Sequence, residues 1–366
     1  MNSGKALTVS TPGRICLFGE HQDYLGLPVI PCAISLRIRA MARQREDDTI
    51  QINLPDIKQK HTLKSTATLP YTRQRDYFKS SINVLRKHGF SFSRGLECTF
   101  TGNIPINSGT SSSSALIVTW LNVLTQLSDQ NRELSRETLG RYAHEAEIVE
   151  FNEPGGMMDH YATAIGNCMH LEFEPCIKIE PVEAPLKTFV LGDSLEPKDT
   201  TSILARVKNQ VLAIVEKLKK RHAAFSIQSL QPIHAENYKS ELSAEQFELL
   251  AATAGNHQIT KQALDIFKQT DFDHLTFGRL LTEHQQVLRE ALRISTPKID
   301  RMIEAALCAG AYGAKINGSG GGGCMFAYAP EAPEAIKKAI ENAGGRAFII
   351  TMDHGTTTEK RENFTP

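Results

Sequence analysis

The stretch Pro105-Ile-Asn-Ser-Gly-Thr-Ser-Ser-Ser-Ser-Ala115 runs without a break into the apolar segment Leu116-Ile-Val-Thr-Trp-Leu-Asn-Val-Leu-Thr-Gln-Leu127. A Gly- and Ser-rich turn opening onto a helix gathers unpaired backbone N–H groups and the positive end of a helix dipole at one point. That is a binding site for an anion, phosphate above all. The hydroxyls add two abilities: they can accept from the backbone as caps, and one can ligate Mg²⁺. Taken alone, the same residues describe a Ser-rich linker or an ordinary capped helix start. The rest of the chain decides between these readings.

Lys+Arg and Asp+Glu each total 41, so the formal charge is zero and a nucleic-acid partner loses its main electrostatic term. No run approaches the ~18 apolar residues of a membrane span, and the N-terminus lacks an apolar signal core. The seven cysteines are scattered and include no CxxC pair, which fits reduced thiols in a cytoplasmic, soluble protein. At 366 residues the chain is long enough for two domains.

The apolar periodicity predicts strands over 7–10, 14–18, 29–30, 34–42 and 96–101, with helices over 76–88, 133–150 and 157–165. Strands are expected again at 168–180 and 187–193. Beyond residue 200, amphipathic helices are expected over 201–222, 243–254, 260–293 and 298–309. A strand near 323–329, a helix over 332–343 and a strand over 346–352 follow. A boundary near 180–200 divides an N-terminal lobe, residues 1–190, from a C-terminal lobe, residues 191–366. The polar tail after Asp353 is expected to be loosely held, at least at its end.

Three more clusters carry polar chemistry. Pro12-Gly-Arg-Ile-Cys-Leu-Phe-Gly-Glu-His-Gln-Asp-Tyr-Leu-Gly26 groups Arg14, Glu20, His21 and Asp23 at a strand end. Its carboxylates and imidazole can accept from vicinal hydroxyls and its guanidinium can face a phosphate, or the whole can be a turn with Glu20 paired to Arg14. Glu147 and Asp159 flank the break Asn152-Glu-Pro-Gly-Gly156. Two carboxylates near a phosphate loop have distinct uses, one holding Mg²⁺ and the other taking a proton from a hydroxyl; isolated, either is an ordinary surface acid. Lys315-Ile-Asn-Gly-Ser-Gly-Gly-Gly-Gly-Cys324 matches GxGxxG, but the residues after it read as a strand, so a dinucleotide fold is rejected. The run lets backbone approach a ligand or another loop closely, or it is a tight strand connection. No GxxxxGK[ST] occurs, which excludes a P-loop NTPase.

With these four clusters in this order, the chain resembles the GHMP small-molecule kinases (galactokinase, homoserine kinase, mevalonate kinase, phosphomevalonate kinase) from about residue 8 to 352. The resemblance implies an α+β, two-lobed fold, with an N-terminal lobe like ribosomal protein S5 domain 2, a ferredoxin-like C-terminal lobe, and the active site between them. Gly13-Arg14, Gly19-Glu20-His21, Asp23-Tyr24, Gly26 and Pro31 are similar to the galactokinase signature. Gly155-Gly156-Met-Met-Asp159 looks like the galactokinase turn that carries the catalytic aspartate. Carried over residue by residue, Arg14 and Asp159 become the catalytic pair, and Glu20, His21, Asp23 and Gly156 face the sugar. Asn107, Ser108, Gly109, Thr110, Ser111, Ser112, Ser113 and Ser114 cradle the triphosphate of ATP, with Ser113 and Glu147 on Mg²⁺.

The implied reaction is phosphorylation of a sugar hydroxyl, the anomeric one, to a sugar 1-phosphate. Leu17–His21 and Gly318–Cys324 are closer to mevalonate kinases, and Gln22, Leu25, Leu27 and Thr110 depart from the galactokinase pattern. Mevalonate kinase and a silent ATP/sugar sensor are therefore the alternatives. Asp23 favours a neutral polyol over a carboxylate acceptor, and a sensor has no use for the base.

Overall fold

The computed structural model describes residues 6–66, 68–183, 185–197 and 200–361. Residues 7–10 and 14–18 belong to a single strand, β1 (Ala6–Phe18), paired antiparallel with an equally continuous β2 (Ile30–Gln44). Pro12 does not end the strand, because the register shifts between Pro12 and Gly13 and the missing N–H falls at that irregularity. A hairpin not anticipated from periodicity, β3 (Thr49–Leu54) and β4 (Gln59–Lys64), joins β5 (Leu96–Gly102). With β12 (Thr357–Arg361) these form a six-stranded sheet ordered β12-β1-β2-β5-β3-β4, in which only β3 and β5 run parallel.

Helices α1 (Tyr77–Lys87), α2 (Ser112–Leu127) and α3 (Arg136–His144) share a core with this sheet. α2 is buried along nearly its whole length, as its apolar composition on every face requires. Trp120 packs edge-on to Phe78 and Phe100, locking α2 between α1 and β5. α4 (Met158–Ile165) leads into a small hairpin of β6 (Met169–Glu172) and β7 (Lys178–Pro181).

The second sheet is four-stranded and antiparallel, ordered β11-β8-β10-β9. Its strands are β8 (Phe189–Asp193), β9 (Gly313–Ile316), β10 (Cys324–Tyr328) and β11 (Arg346–Ile350). Around it lie α5 (Thr200–Arg221), α6 (Pro232–Ala235), α7 (Ala244–Phe267), α8 (His274–Glu290), α9 (Pro297–Cys308) and α10 (Pro333–Asn342). The helices expected over 243–254 and 260–293 are divided differently. α7 runs unbroken from its Ser243–Gln246 capping box to Phe267, and the break falls before Asp273, which accepts from the Leu275 and Thr276 N–H groups. Periodicity continues through such a break because both helices bury apolar faces; only the cap marks it. Among the described residues no helix is long and apolar enough to cross a membrane.

The two sheets meet in a shared core, where Ile15, Leu17 and Phe18 of β1 join Phe189, Phe277 and Phe326. β8 starts at Phe189 and β12 returns to the first sheet, so elements of both lobes cross the 190/191 division.

The tail is held as far as Arg361, while its end, residues 362–366, lies outside the described residues. Thr357–Arg361 is the edge strand on β1, and Thr356 Oγ1 meets Thr11 Oγ1 at 2.9 Å and Asn122 Nδ2 at 3.2 Å. Arg37 ties the turn before it, donating to Asp353 at 2.8 Å and to the carbonyls of Ser10, His354 and Gly355. Polarity suits an edge strand and does not signal disorder. Arg37→Ala, which strands Asp353 and these carbonyls, should cost about 3 kcal/mol, read as a lower denaturant midpoint at unchanged slope.

Candidate functional site

A cleft of about 550 Å³ opens between the lobes, lined by the loops after β1 and β5, the start of α2, the turn before α4 and the glycine loop between β9 and β10. The loop after β5 has Asn107, Gly109 and Ser111 at φ of 58°, 85° and 58°. These left-handed residues alternate with others, a form that turns backbone N–H groups toward one concavity. Ser111 precedes α2 but its hydroxyl makes no cap bond, so the first turn of the helix keeps its N–H groups facing the cleft without a side-chain acceptor. Asn107, Gly109, Ser111, Ser112, Ser113 and Ser114 line the cleft. Ser108 and Thr110 do not: their hydroxyls donate to the Ile106 and Pro105 carbonyls and brace the loop from within.

Arg14 reaches this loop from β1. Its side chain is 4% exposed; Nε and Nη2 donate to Asp159 Oδ1 at 2.8 and 2.6 Å, and Nη1 donates to the Gly109 carbonyl. Asp159 sits in the first turn of α4 with its side chain 32% exposed to the cleft. Burial works to raise its carboxyl, but the Arg14 charge, with His160 and the Ser111 hydroxyl, outweighs this and holds it below the usual carboxylate range. Asp23 approaches the same turn, accepting the Met158 N–H on Oδ2 at 3.3 Å and the Tyr24 N–H on Oδ1 at 2.9 Å. Burial first, then the neighbouring Asp159 charge, pushes Asp23 up. Gly156 is what lets Asp23 in: a Cβ there would stand 1.9 Å from Asp23 Oδ2.

Glu147 lies on a one-turn π-helix, Glu145–Val149, that follows α3 where the sequence predicts a plain α-helix to residue 150. Such a turn inserts one residue and re-aims those it carries, a feature frequent at functional sites. Glu147 is 7% exposed and accepts on Oε2 from Ser114 Oγ at 2.7 Å and from His160 Nε2 at 2.9 Å. Burial pushes its carboxyl up, yet His160, Ser113 and Ser114 together hold it below the ordinary range. Carboxylate and hydroxyl oxygens are hard donors, and no cysteine lines the cleft among the described residues, so this set suits Mg²⁺ and not a thiophilic metal.

Glu20 and His21 line the cleft and also hold neighbours, Glu20 through Oε1 while Oε2 has no hydrogen-bond partner among the described residues. Glu20, 1% exposed, pairs with the fully buried Lys315 at 2.5 Å and receives the Gly318 N–H at 3.4 Å. Lys315 also donates to the Cys16 and Ile316 carbonyls. His21 meets Tyr24 Oη at 2.8 Å through Nδ1 and the Ser319 carbonyl at 3.1 Å through Nε2. Asn317 bridges the strand end and the phosphate loop, receiving the Cys16 N–H and donating to the Gly109 carbonyl. The glycine run therefore approaches another loop: Gly318, at φ 78°, would place a Cβ 2.9 Å from the Gly109 carbonyl oxygen. Lys315, Asn317, Tyr24 and His160 carry no role of their own in the sequence reading. Lys315 and Asn317 stand directly before the glycine run and His160 directly after Asp159, and that adjacency was the available signal.

Three family models match the sequence: GHMP kinases N terminal domain over residues 76–167, GHMP kinases C terminal over 263–346, and galactokinase galactose-binding signature over 2–44. The mevalonate kinase of Thermococcus gammatolerans is 30% identical over 355 residues, covering 94% of this chain and 95% of that protein. The galactokinase of Haemophilus influenzae strain Rd is 26% identical, covering 98% and 92%. Among solved structures, Lactococcus lactis galactokinase complexed with galactose superposes with a TM-score of 0.83 at 22% identity, over 96% of this chain and 95% of that one. The chain belongs to the GHMP kinase family and has its two-lobed fold. It is an ATP-dependent kinase of that family.

Gly156→Ala should keep the fold, since the turn is at the cleft surface, but displace Asp23. The expected outcome is an acceptor KM raised at least tenfold with the nucleotide KM nearly unchanged, measured by steady-state kinetics.

Proposed function

We propose that the protein transfers the γ-phosphoryl group of ATP, with Mg²⁺, to the anomeric hydroxyl of a neutral sugar, galactose first, giving a sugar 1-phosphate. The observation that carries this reading is Asp23 packed beside Asp159 at one end of the cleft through the gap at Gly156. A second carboxylate there accepts hydrogen bonds from a polyol and repels an acceptor that is itself a carboxylate. The galactokinase galactose-binding signature over residues 2–44 supports the same choice.

Asp159 accepts the hydroxyl proton as the acceptor oxygen bonds to the γ-phosphorus and the bond to the ADP oxygen breaks. Its lowered basicity makes it a modest base, so orientation of the hydroxyl is its larger contribution. Arg14 keeps Asp159 ionised and faces the charge developing on the phosphoryl group, as do the N–H groups opening α2. Glu147 and Ser113 would hold Mg²⁺, which would supply charge neutralisation to the phosphates of ATP. Leu54, Ile57, Tyr77, Ile106, Leu116 and Ile148 form the apolar wall of the cleft and suit the adenine ring. Glu20 and His21 act on the acceptor through the loops they fasten.

Mevalonate kinase is the second reading, favoured by the 30% identity to the Thermococcus gammatolerans enzyme. Galactose and mevalonate assayed side by side separate the two: ³¹P NMR should show a C1 phosphate on galactose, and turnover of mevalonate alone would overturn the sugar reading. Asp159→Asn should lower kcat on the order of 10²–10⁴-fold while equilibrium dialysis shows ATP binding retained. The pH dependence has a definite sign. With Arg14 present, Asp159 stays ionised below the usual ~4. In Arg14→Met burial is no longer offset by its strongest opponent, so the acid limb of kcat should move to higher pH in the residual activity.

A further inference from the structure

Among the described residues, the two side-chain hydrogen bonds that tether Glu147 fall on the same oxygen. Ser114 Oγ and His160 Nε2 both bond to Oε2, at 2.7 and 2.9 Å, and Oε1 takes neither. A carboxylate oxygen accepts and a ring nitrogen facing it donates, so His160 Nε2 carries the hydrogen of this 2.9 Å bond. His160 is 1% exposed, and its Nδ1 has no hydrogen-bond partner among the described residues. The ring, held edge-on to His144 at 5.3 Å, thus directs its hydrogen bonding to Glu147. His160 also follows Asp159 in the first turn of α4, so one helical turn sends Asp159 to Arg14 and His160 to Glu147.

We propose that His160 is a positioning residue for the metal-binding carboxylate: with Ser114 it commits Glu147 Oε2 to the protein and leaves Oε1 to the Mg²⁺ of the nucleotide complex. The inference rests on the reading of Glu147 as the Mg²⁺ carboxylate. Its physical basis is the general behaviour of ligand-orienting partners. A carboxylate free to rotate loses conformational freedom on binding, and one already oriented does not. The same bond ties the π-turn to α4, so the metal carboxylate and the catalytic aspartate keep a fixed relation as nucleotide enters.

The test reads binding, not turnover. Isothermal titration calorimetry of the full chain with a non-hydrolysable ATP analogue, in excess Mg²⁺ and again in EDTA, gives the gain in nucleotide affinity due to the metal. His160→Leu, which cannot donate, should shrink that gain about tenfold or more, with the affinity in EDTA and the melting temperature near wild type. His160→Gln, which retains a donor, should recover most of it. Glu147→Gln is the control. If it leaves the gain intact, the metal role of Glu147 fails; if it abolishes the gain while His160→Leu matches wild type, only the positioning role fails. Equal losses in His160→Leu and His160→Gln overturn the hydrogen bond as the cause, as does a lowered melting temperature with the gain unchanged. Should His160→Leu not fold, His160→Asn, whose amide is too short to reach Glu147, takes its place with the same expected loss.

Discussion

One buried guanidinium holds the cleft together. Arg14 leaves β1 into an interior where an unpaired cation would be very unfavourable, and its two partners lie on different segments: Asp159 on α4 and the Gly109 carbonyl on the phosphate loop. The Arg14 N–H completes the clasp by donating to the Thr110 carbonyl. Nε and Nη2 converge on one Asp159 oxygen while Nη1 turns to the Gly109 carbonyl, so the planar guanidinium fixes direction as well as distance, which a lysine would not. The strand, the anion-binding loop and the base-bearing helix are thereby held in one geometry before any ligand arrives.

A second set of buried charges closes the other side. Lys315, with no exposed surface, meets Glu20, and Asn317 spans the β1 end and Gly109. Buried ion pairs contribute little net stability over apolar packing of the same volume. Their effect here is geometric: the glycine loop of the C-terminal lobe is registered against the phosphate loop of the N-terminal lobe, where the Cys324 N–H also reaches the Ser108 carbonyl at 2.7 Å. The site is thus a property of the seam and needs both halves of the chain.

Much of this was legible in the residues. The glycine and serine loop opening α2, the acid on each side of Pro154-Gly155-Gly156 and the strand-end cluster around Arg14 all come together in one cleft. The elements carrying them lie close to the spans that apolar periodicity predicts. What escaped did so for identifiable reasons. The π-turn under Glu147 adds one residue to a helix, too small a change to disturb periodicity over so short a span. The polar strand Thr357–Arg361 has no apolar face, because as an edge it is held by its ladder with β1 and by the Thr357 and Thr358 hydroxyls, which meet the Ser10 carbonyl and the Gln126 amide. Glu20 and His21 look like free polar groups beside a ligand, and only packing reveals that Lys315 pairs with one oxygen of Glu20 and that Tyr24 and Ser319 meet the His21 ring.

Local chemistry, then, is written in neighbouring residues: a turn that exposes N–H groups, a glycine that admits a carboxylate, a helix that is apolar on every side. These follow from backbone sterics and periodicity and need no knowledge of distant contacts. The pairing of charges belongs to the folded chain alone. Arg14 and Asp159 are 145 positions apart, and Asn317 and Cys16 are 301 apart. Which cation meets which acid depends on how two sheets dock, and burial then makes each choice matter, because a desolvated charge must find its partner within a few ångströms.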